Sequence, residues 1–150
     1  MRDTSPAAED RIEDALRLEN QLCFPLYACS REIIKRYKPL LEPLGLTYTQ
    51  YLTMMILWER RESTVKELGR RLFLDSGTLT PLLKKLEGRG LVERRRDPLD
   101  ERSLLVSVTA AGEALREEAA RVPRLMAQSL SLTAEEAGEL HRLLYRVLQG

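Results

Sequence analysis

The stretch that most restricts what this chain can become runs from Thr64 to Thr109 and reads TVKELGRRLFLDSGTLTPLLKKLEGRGLVERRRDPLDERSLLVSVT. Thr64 followed three residues later by Glu67 opens a helix with a capping pair, and Leu68, Leu72 and Phe73 continue it at helical spacing to a stop near Leu74. Asp75 and Ser76 suit the cap of a second helix, in which Leu79, Leu82, Leu83 and Leu86 repeat at i, i+3, i+4 and i+7. This spacing gathers the four leucines on one packed face and leaves Thr78, Thr80, Lys84 and Lys85 on the other. Gly88 and Gly90 are stop signals, Leu91 to Arg95 predicts a short strand, and Leu104, Val106 and Val108 alternate along a returning one. The order is helix, turn, helix, wing. The predicted fold class is therefore mainly α with a small β-hairpin, a winged helix-turn-helix over residues 64–109.

Helices are expected on both sides of that unit. The first ten residues predict a frayed arm around Pro6. Ile12, Leu16, Leu22, Leu26, Ile33 and Ile34 then predict a long helix to Tyr37. Pro25 must kink or restart it between Gln21 and Phe24, because proline lacks an N–H and crowds the preceding turn. Lys38 to Leu46 reads as a turn with a short helical piece, and Thr47 with Gln50 opens a helix through Trp58. Beyond the wing, Leu115, Ala119, Val122, Met126 and Leu130 predict a helix over 113–130 around Pro123. Thr133 and Glu136 cap a last helix bearing Leu140, Leu143, Leu144, Val147 and Leu148 on its apolar side. The helices at about 10–37 and 113–149 are expected to lie outside the winged unit and to bury their faces in a two-fold homodimer, with intramolecular packing as the alternative. A chain of 150 residues makes one domain.

Charge and composition narrow the partners. No apolar run approaches the roughly 20 residues of a membrane span, and the first residues have no apolar signal-peptide core, so a cytoplasmic chain without membrane contact is expected. The net charge of +1 favours no partner, but its distribution does. Residues 1–19 hold three Arg against six acids, whereas 64–102 hold ten Lys and Arg against seven. Binding to double-stranded DNA therefore rests on arrangement rather than on bulk charge.

No hydrolytic site, metal-ligand set or cofactor motif is visible, and the single His141 sits among polar residues; the chain is not read as an enzyme. Ser76, Thr78 and Thr80 place short hydrogen-bonding side chains near the start of the second helix, where base edges come close, and Lys84 and Lys85 suit phosphates. Pro81 should bend that helix. The wing offers Arg94, Arg95, Arg96 and Arg102; the last fits a narrow minor groove, with Asp100 expected to orient its guanidinium. A solvated charged hairpin is the competing reading. Cys23 has Tyr27 one helical turn away, with Tyr37 and Tyr48 further on. Buried cysteines are usually inert packing, but phenols hydrogen-bonded to a thiolate favour reaction with a peroxide. Cys29 lies about 120° round the helix and roughly 9 Å away, beyond disulfide reach, and reads as structural.

The run GLVERRRDPLDERSLLVSVTAAG, with Asp100, Arg102, Thr109 and Gly112, resembles the wing signature of the MarR family. Together with LENQLCFPLYACSR, YKPLLEPLGLTYTQYL and LDSGTLTPLLKKLE, it resembles the organic hydroperoxide resistance regulator branch over about Leu18 to Leu148. The resemblance implies a dimeric winged helix-turn-helix repressor whose Cys23 is oxidised by organic hydroperoxide, releasing operator DNA. It further implies hydrogen bonds to Cys23 from Tyr37 and Tyr48 of the second subunit, with Tyr27 nearby. The recognition helix would span about Ser76 to Arg89, and Arg102 would enter the minor groove. No cysteine follows Cys29, so the resemblance is to the one-cysteine type, which needs a small thiol as co-reactant. Two other readings remain: a repressor of the same family gated by a non-covalent aromatic ligand, with Cys23 lining its pocket, and a thiol peroxidase using Cys23 catalytically.

Overall fold

The computed structural model describes residues 6–150, with side chains from Arg11 onward. Of the expected frayed arm, residues 1–5 lie outside the described residues, and from Pro6 the backbone is already helical. Helix α1 (Pro6–Leu16) gives way to a 3-10 turn over Leu18–Asn20, and α2 (Cys23–Leu41) starts afresh. The expected long helix is thus two, with Pro25 in the first turn of α2. Its missing N–H would have had no intrahelical partner there. Helix α2 also runs past the expected end at Tyr37, through Pro39, before a 3-10 turn over Glu42–Leu44 that Gly45 closes at φ 62°. Pro39 deprives only the carbonyl of Lys35, an exposed residue.

Helix α3 (Tyr48–Arg60) begins with Thr47 and Gln50 bonded to each other's backbone, as their spacing predicts. Arg61, at φ 69°, then turns the chain into β1 (Glu62–Thr64). Helices α4 (Val65–Leu72) and α5 (Ser76–Gly88) follow, then β2 (Val92–Arg96) and β3 (Leu104–Val108). The expected two-stranded hairpin is corrected to a three-stranded antiparallel sheet in the order β1-β3-β2. Ser63 pairs with Val106 on one side and Arg94 with Val106 on the other, so the wing grows out of the edge strand beside α3. The alternation expected along β3 stops at its tip, where Leu104 is exposed and only Val106 is fully buried.

Leu68, Leu79, Leu83 and Leu86 close on Met54, Leu57, Val92 and Val106 to form the core beneath α5 and the wing. Burying leucines of this kind contributes about 1.5–3 kcal/mol each. The expected helix over 113–130 is also two: α6 (Ala110–Ala119), capped by Thr109, and α7 (Val122–Ser129), with Pro123 in its first turn. Helix α6 packs on α3 and β3, whereas α7 packs on α2, and Ala119 and Val122 join the core. Helix α8 (Ala134–Gln149) carries the predicted capping box of Thr133 and Glu136 but has no buried residue. Its apolar side, like α1 and the first half of α2, is open: Leu16, Leu22 and Val147 are 77%, 74% and 65% exposed. No helix among the described residues is long and apolar enough to cross a membrane.

Candidate nucleic-acid interface and thiol site

The exposed face of α5 begins at Asp75, whose carboxylate accepts the Thr78 N–H at 2.7 Å and is held below the usual carboxylate range by that bond. Ser76, Thr78, Thr80, Lys84 and Lys85 are all exposed, opposite the buried leucines. The Thr80 hydroxyl donates back to the Ser76 carbonyl at 2.8 Å, leaving its own lone pairs outward. Pro81 does not break the helix. The carbonyl that loses its partner is that of Gly77, and both residues sit on the exposed face, where water or a ligand can supply the missing donor.

The wing is more internally committed than its sequence predicts. Arg94 makes a paired contact with Glu87 of α5, its Nε and Nη2 donating at 3.0 and 2.7 Å, and its side chain is only 19% exposed. Glu87 is held below the ordinary carboxylate range by that hydrogen bond. Arg95 pairs with Glu62 of β1 at 3.0 Å, and Arg96 donates to the Glu101 carbonyl at 3.4 Å. Arg94 and Arg95 are thus paired with acids of α5 and β1, whereas Arg96 meets only a backbone carbonyl across the turn and keeps its charge unpaired among the described residues. Asp100 does not orient the Arg102 guanidinium as expected; its carboxylate accepts the Arg102 backbone N–H at 3.1 Å and the Ser103 hydroxyl at 3.0 Å. It shapes the turn that presents an exposed Arg102. Arg102 and Ser103 face Ser76 and Thr80 across a groove of about 550 Å³ between α4, α5 and the wing. Lys66 and Arg70 line the same groove and were not singled out from sequence, because α4 pointed to packing rather than to a surface.

Thr109 and Gly112 hold this wing to the body. The Thr109 hydroxyl donates to the Gly90 carbonyl at 2.6 Å and accepts the Gly112 N–H at 3.0 Å. The Gly112 carbonyl in turn accepts the indole N–H of Trp58 at 2.9 Å.

Cys23 occupies the first position of α2, exposed and unpaired, and Cys29 is likewise a free thiol. Cys29 is not the packed structural residue the sequence implied. It lines an apolar groove of about 450 Å³ with Leu22, Ile33, Tyr48, Leu140 and Leu144, and Cys23 is not part of that lining. Tyr27 is exposed and bonded to Arg31 at 3.1 Å. Tyr37 and Tyr48 meet each other, ring centroids 4.6 Å apart, and Tyr37 stands 5.9 Å from Tyr51. They do not meet Cys23 of their own chain, since fourteen helical positions set Tyr37 about 21 Å further along α2.

Burial raises Tyr37 and Tyr48 above the ordinary phenol value, so both are hydrogen-bond donors at neutral pH. Tyr51 is pushed up to about 12, first by burial and then by Tyr37 and Tyr48. The fold therefore holds a proton on Tyr51 that the unfolded chain loses above pH 10. The associated stability is complete below that pH and disappears as pH rises toward 12. Thermal melts across this window should fall in the wild type and fall less in Tyr51→Phe. Parallel pH profiles for the two proteins would contradict the assignment.

A profile of the MarR family matches residues 46–104. The chain is 48% identical over 136 residues to the organic hydroperoxide resistance transcriptional regulator of Bacillus subtilis, covering 91% of this chain and 92% of that protein. Among solved structures it is similar to reduced AbfR bound to DNA, with a TM-score of 0.75 and 36% identity over 91% of this chain and 96% of that one. AbfR comes from Staphylococcus epidermidis. Overoxidised AbfR bound to DNA overlaps equally well, at a TM-score of 0.75.

Proposed function

The chain belongs to the MarR family, and from that premise we propose that it is a homodimeric transcriptional repressor, acting in the cytoplasm on double-stranded operator DNA. It holds DNA while Cys23 is reduced and releases it after an organic hydroperoxide and a small thiol have modified that residue. The observation that carries the reading is the separation within one subunit: an unpaired thiol at the start of α2, and two protonated phenols at its far end. Only a second copy can bring them together. The open apolar faces of α1, α2 and α8 supply the surface for such a pairing.

Cys23 thiolate attacks the terminal oxygen of the hydroperoxide. The O–O bond breaks, an S–O bond forms, sulfur gives up two electrons, and the departing alkoxide takes a proton to become the alcohol. Tyr37 and Tyr48 of the second subunit donate hydrogen bonds to the sulfur and to the oxygen acquiring charge. A small thiol then attacks the sulfenic sulfur, an S–S bond forms and water leaves. AbfR is found on DNA in both its reduced and its overoxidised state. This supports assigning release in the present chain to the bulk of the thiol adduct rather than to oxygen on sulfur.

In the DNA-bound state Ser76, Thr78, Thr80, Lys84 and Lys85 face the major groove, and Arg102, presented by Asp100, enters the minor groove. Two such helices must match half-sites about one DNA turn apart, so a shift of α2 that changes their spacing weakens both contacts together. Mass measurement of Cys23 alongside binding to a duplex selected by the wild type from a random-sequence pool tests this. One equivalent of cumene hydroperoxide consumed per subunit should accompany the loss of binding. Full binding with Cys23 quantitatively converted to the thiol adduct would sink the proposal, and steady peroxide turnover with reductant would make the chain a thiol peroxidase. The Cys29 groove favours one second reading, a non-covalent aromatic ligand between α2 and α8; Cys23→Ser would then keep full induction.

A further inference from the structure

The residue that follows the reading helix points away from its reading face. Arg89 caps the C-terminus of α5, and its guanidinium donates to two consecutive carbonyls, those of Gly45 and Leu44, the latter at 3.2 Å. These carbonyls belong to the turn in which α2 ends. They are free because the turn closes on other acceptors: the Gly45 N–H bonds to the Glu42 carbonyl at 2.9 Å, and the Leu46 N–H reaches the Leu41 carbonyl at 3.3 Å. The left-handed φ of 62° at Gly45 favours glycine, and a Cβ there would lie 2.7 Å from the Arg89 guanidinium, which would have to move off its carbonyls. Among the described residues no other hydrogen bond or ion pair joins residues 23–46 to α5. Otherwise α2 rests on α3 and α7.

We propose that Arg89 is a positioning residue that ties the end of the thiol-bearing helix to the end of the DNA-reading helix, making their displacements one motion. The two fastened ends are stiff. Leu41 and Leu44 are buried on one side, and Leu83 and Leu86 on the other. The planar guanidinium spans both carbonyls at once, whereas a lysine would keep the charge and reach one of them. The source of the α2 displacement rests on the reading above; the tie itself is testable without an oxidant.

Coupling between two sites is reciprocal, so DNA that immobilises α5 must also quiet the turn at the end of α2. Hydrogen exchange of wild type, Arg89→Lys and Arg89→Ala is measured with and without the selected duplex, after melting curves establish that each is folded. DNA should slow exchange at Gly45 and Leu46 at least about fivefold in the wild type, less in Arg89→Lys and not in Arg89→Ala. Protection of these amides in Arg89→Ala equal to that in wild type overturns the proposal, as does a wild type in which DNA leaves them unchanged. If Arg89→Ala does not fold, Arg89→Lys decides by the same comparison. Hydroperoxide with glutathione supplies a separate readout: its release effect should shrink in Arg89→Ala while Cys23 is modified to the same extent. If the modified wild type keeps its DNA, the peroxide reading falls, and the exchange result still judges the tie.

Discussion

Cys23→Ser should bind the selected duplex within about twofold of the wild type and keep holding it under cumene hydroperoxide with glutathione, conditions that weaken the wild type by roughly thirtyfold or more. The first half follows from the site. Cys23 is exposed, unpaired and at the opening of a helix, so exchanging sulfur for oxygen removes no internal packing. The second half follows from linkage. A modification shifts a conformational equilibrium only by the difference in free energy it has with the two states, and allosteric couplings commonly lie between about five- and 150-fold. A thiol adduct at the start of α2 differs greatly between a dimer that accommodates it and one that does not, which places this case in the upper part of that range. Fluorescence anisotropy with the labelled duplex, before and after treatment, measures both numbers. Cys29→Ser is the decisive comparison: release lost there and retained in Cys23→Ser would move the sensor to the α2–α8 groove.

The parts of this molecule that could be read from its residues are those whose causes are local. Four leucines at one helical spacing defined α5 and its buried face. Two capping boxes defined the starts of α3 and α8. Strand β1 was not legible, because Glu62, Ser63 and Thr64 carry no alternation, and only pairing with β3 makes them a strand. Pro25 made the break between Gln21 and Phe24 legible, though not whether the helix kinks or restarts there, whereas the break near Ala120 was not legible because Pro123 was expected inside one helix. The wing arginines illustrate the same limit on the functional side. Arg94 and Arg95 looked equivalent to Arg102, yet their acids, Glu87 and Glu62, lie on other elements. Arg89 was absorbed into the end of a helix, and its carbonyl partners lie more than forty residues away. The proposed contact between the thiol and the phenols is harder still to read, since Cys23 opens α2 and Tyr37 lies near its far end, beside Tyr48 of α3.

Gly112→Ala should cost roughly 3 kcal/mol and lower the melting temperature by about 6–12 °C, the largest stability loss expected from a single added methyl group here. An ideal Cβ at Gly112 would stand 2.2 Å from the Leu91 carbonyl oxygen and 2.8 Å from Val108 Cγ2. The first of these is backbone, and it cannot swing aside. The Leu91 carbonyl is fixed by the Thr109 N–H at 3.1 Å, and Leu91 itself is buried at the root of β2. Relief must therefore come from moving the start of α6 or the start of the wing. Moving α6 draws the Gly112 carbonyl away from Trp58, leaving a buried indole donor unpaired. Moving the wing breaks the Thr109 bridge to Gly90. The helix preference of alanine over glycine returns at most about 1 kcal/mol, too little to offset either. Because the wing root is what shifts, Arg102 should also be misplaced in the folded fraction, and the selected duplex should bind more weakly at temperatures well below the melt. Melting within about 2 °C of the wild type, at equal protein concentration, would mean that the Leu91 carbonyl yields without cost and that Gly112 does not set the wing.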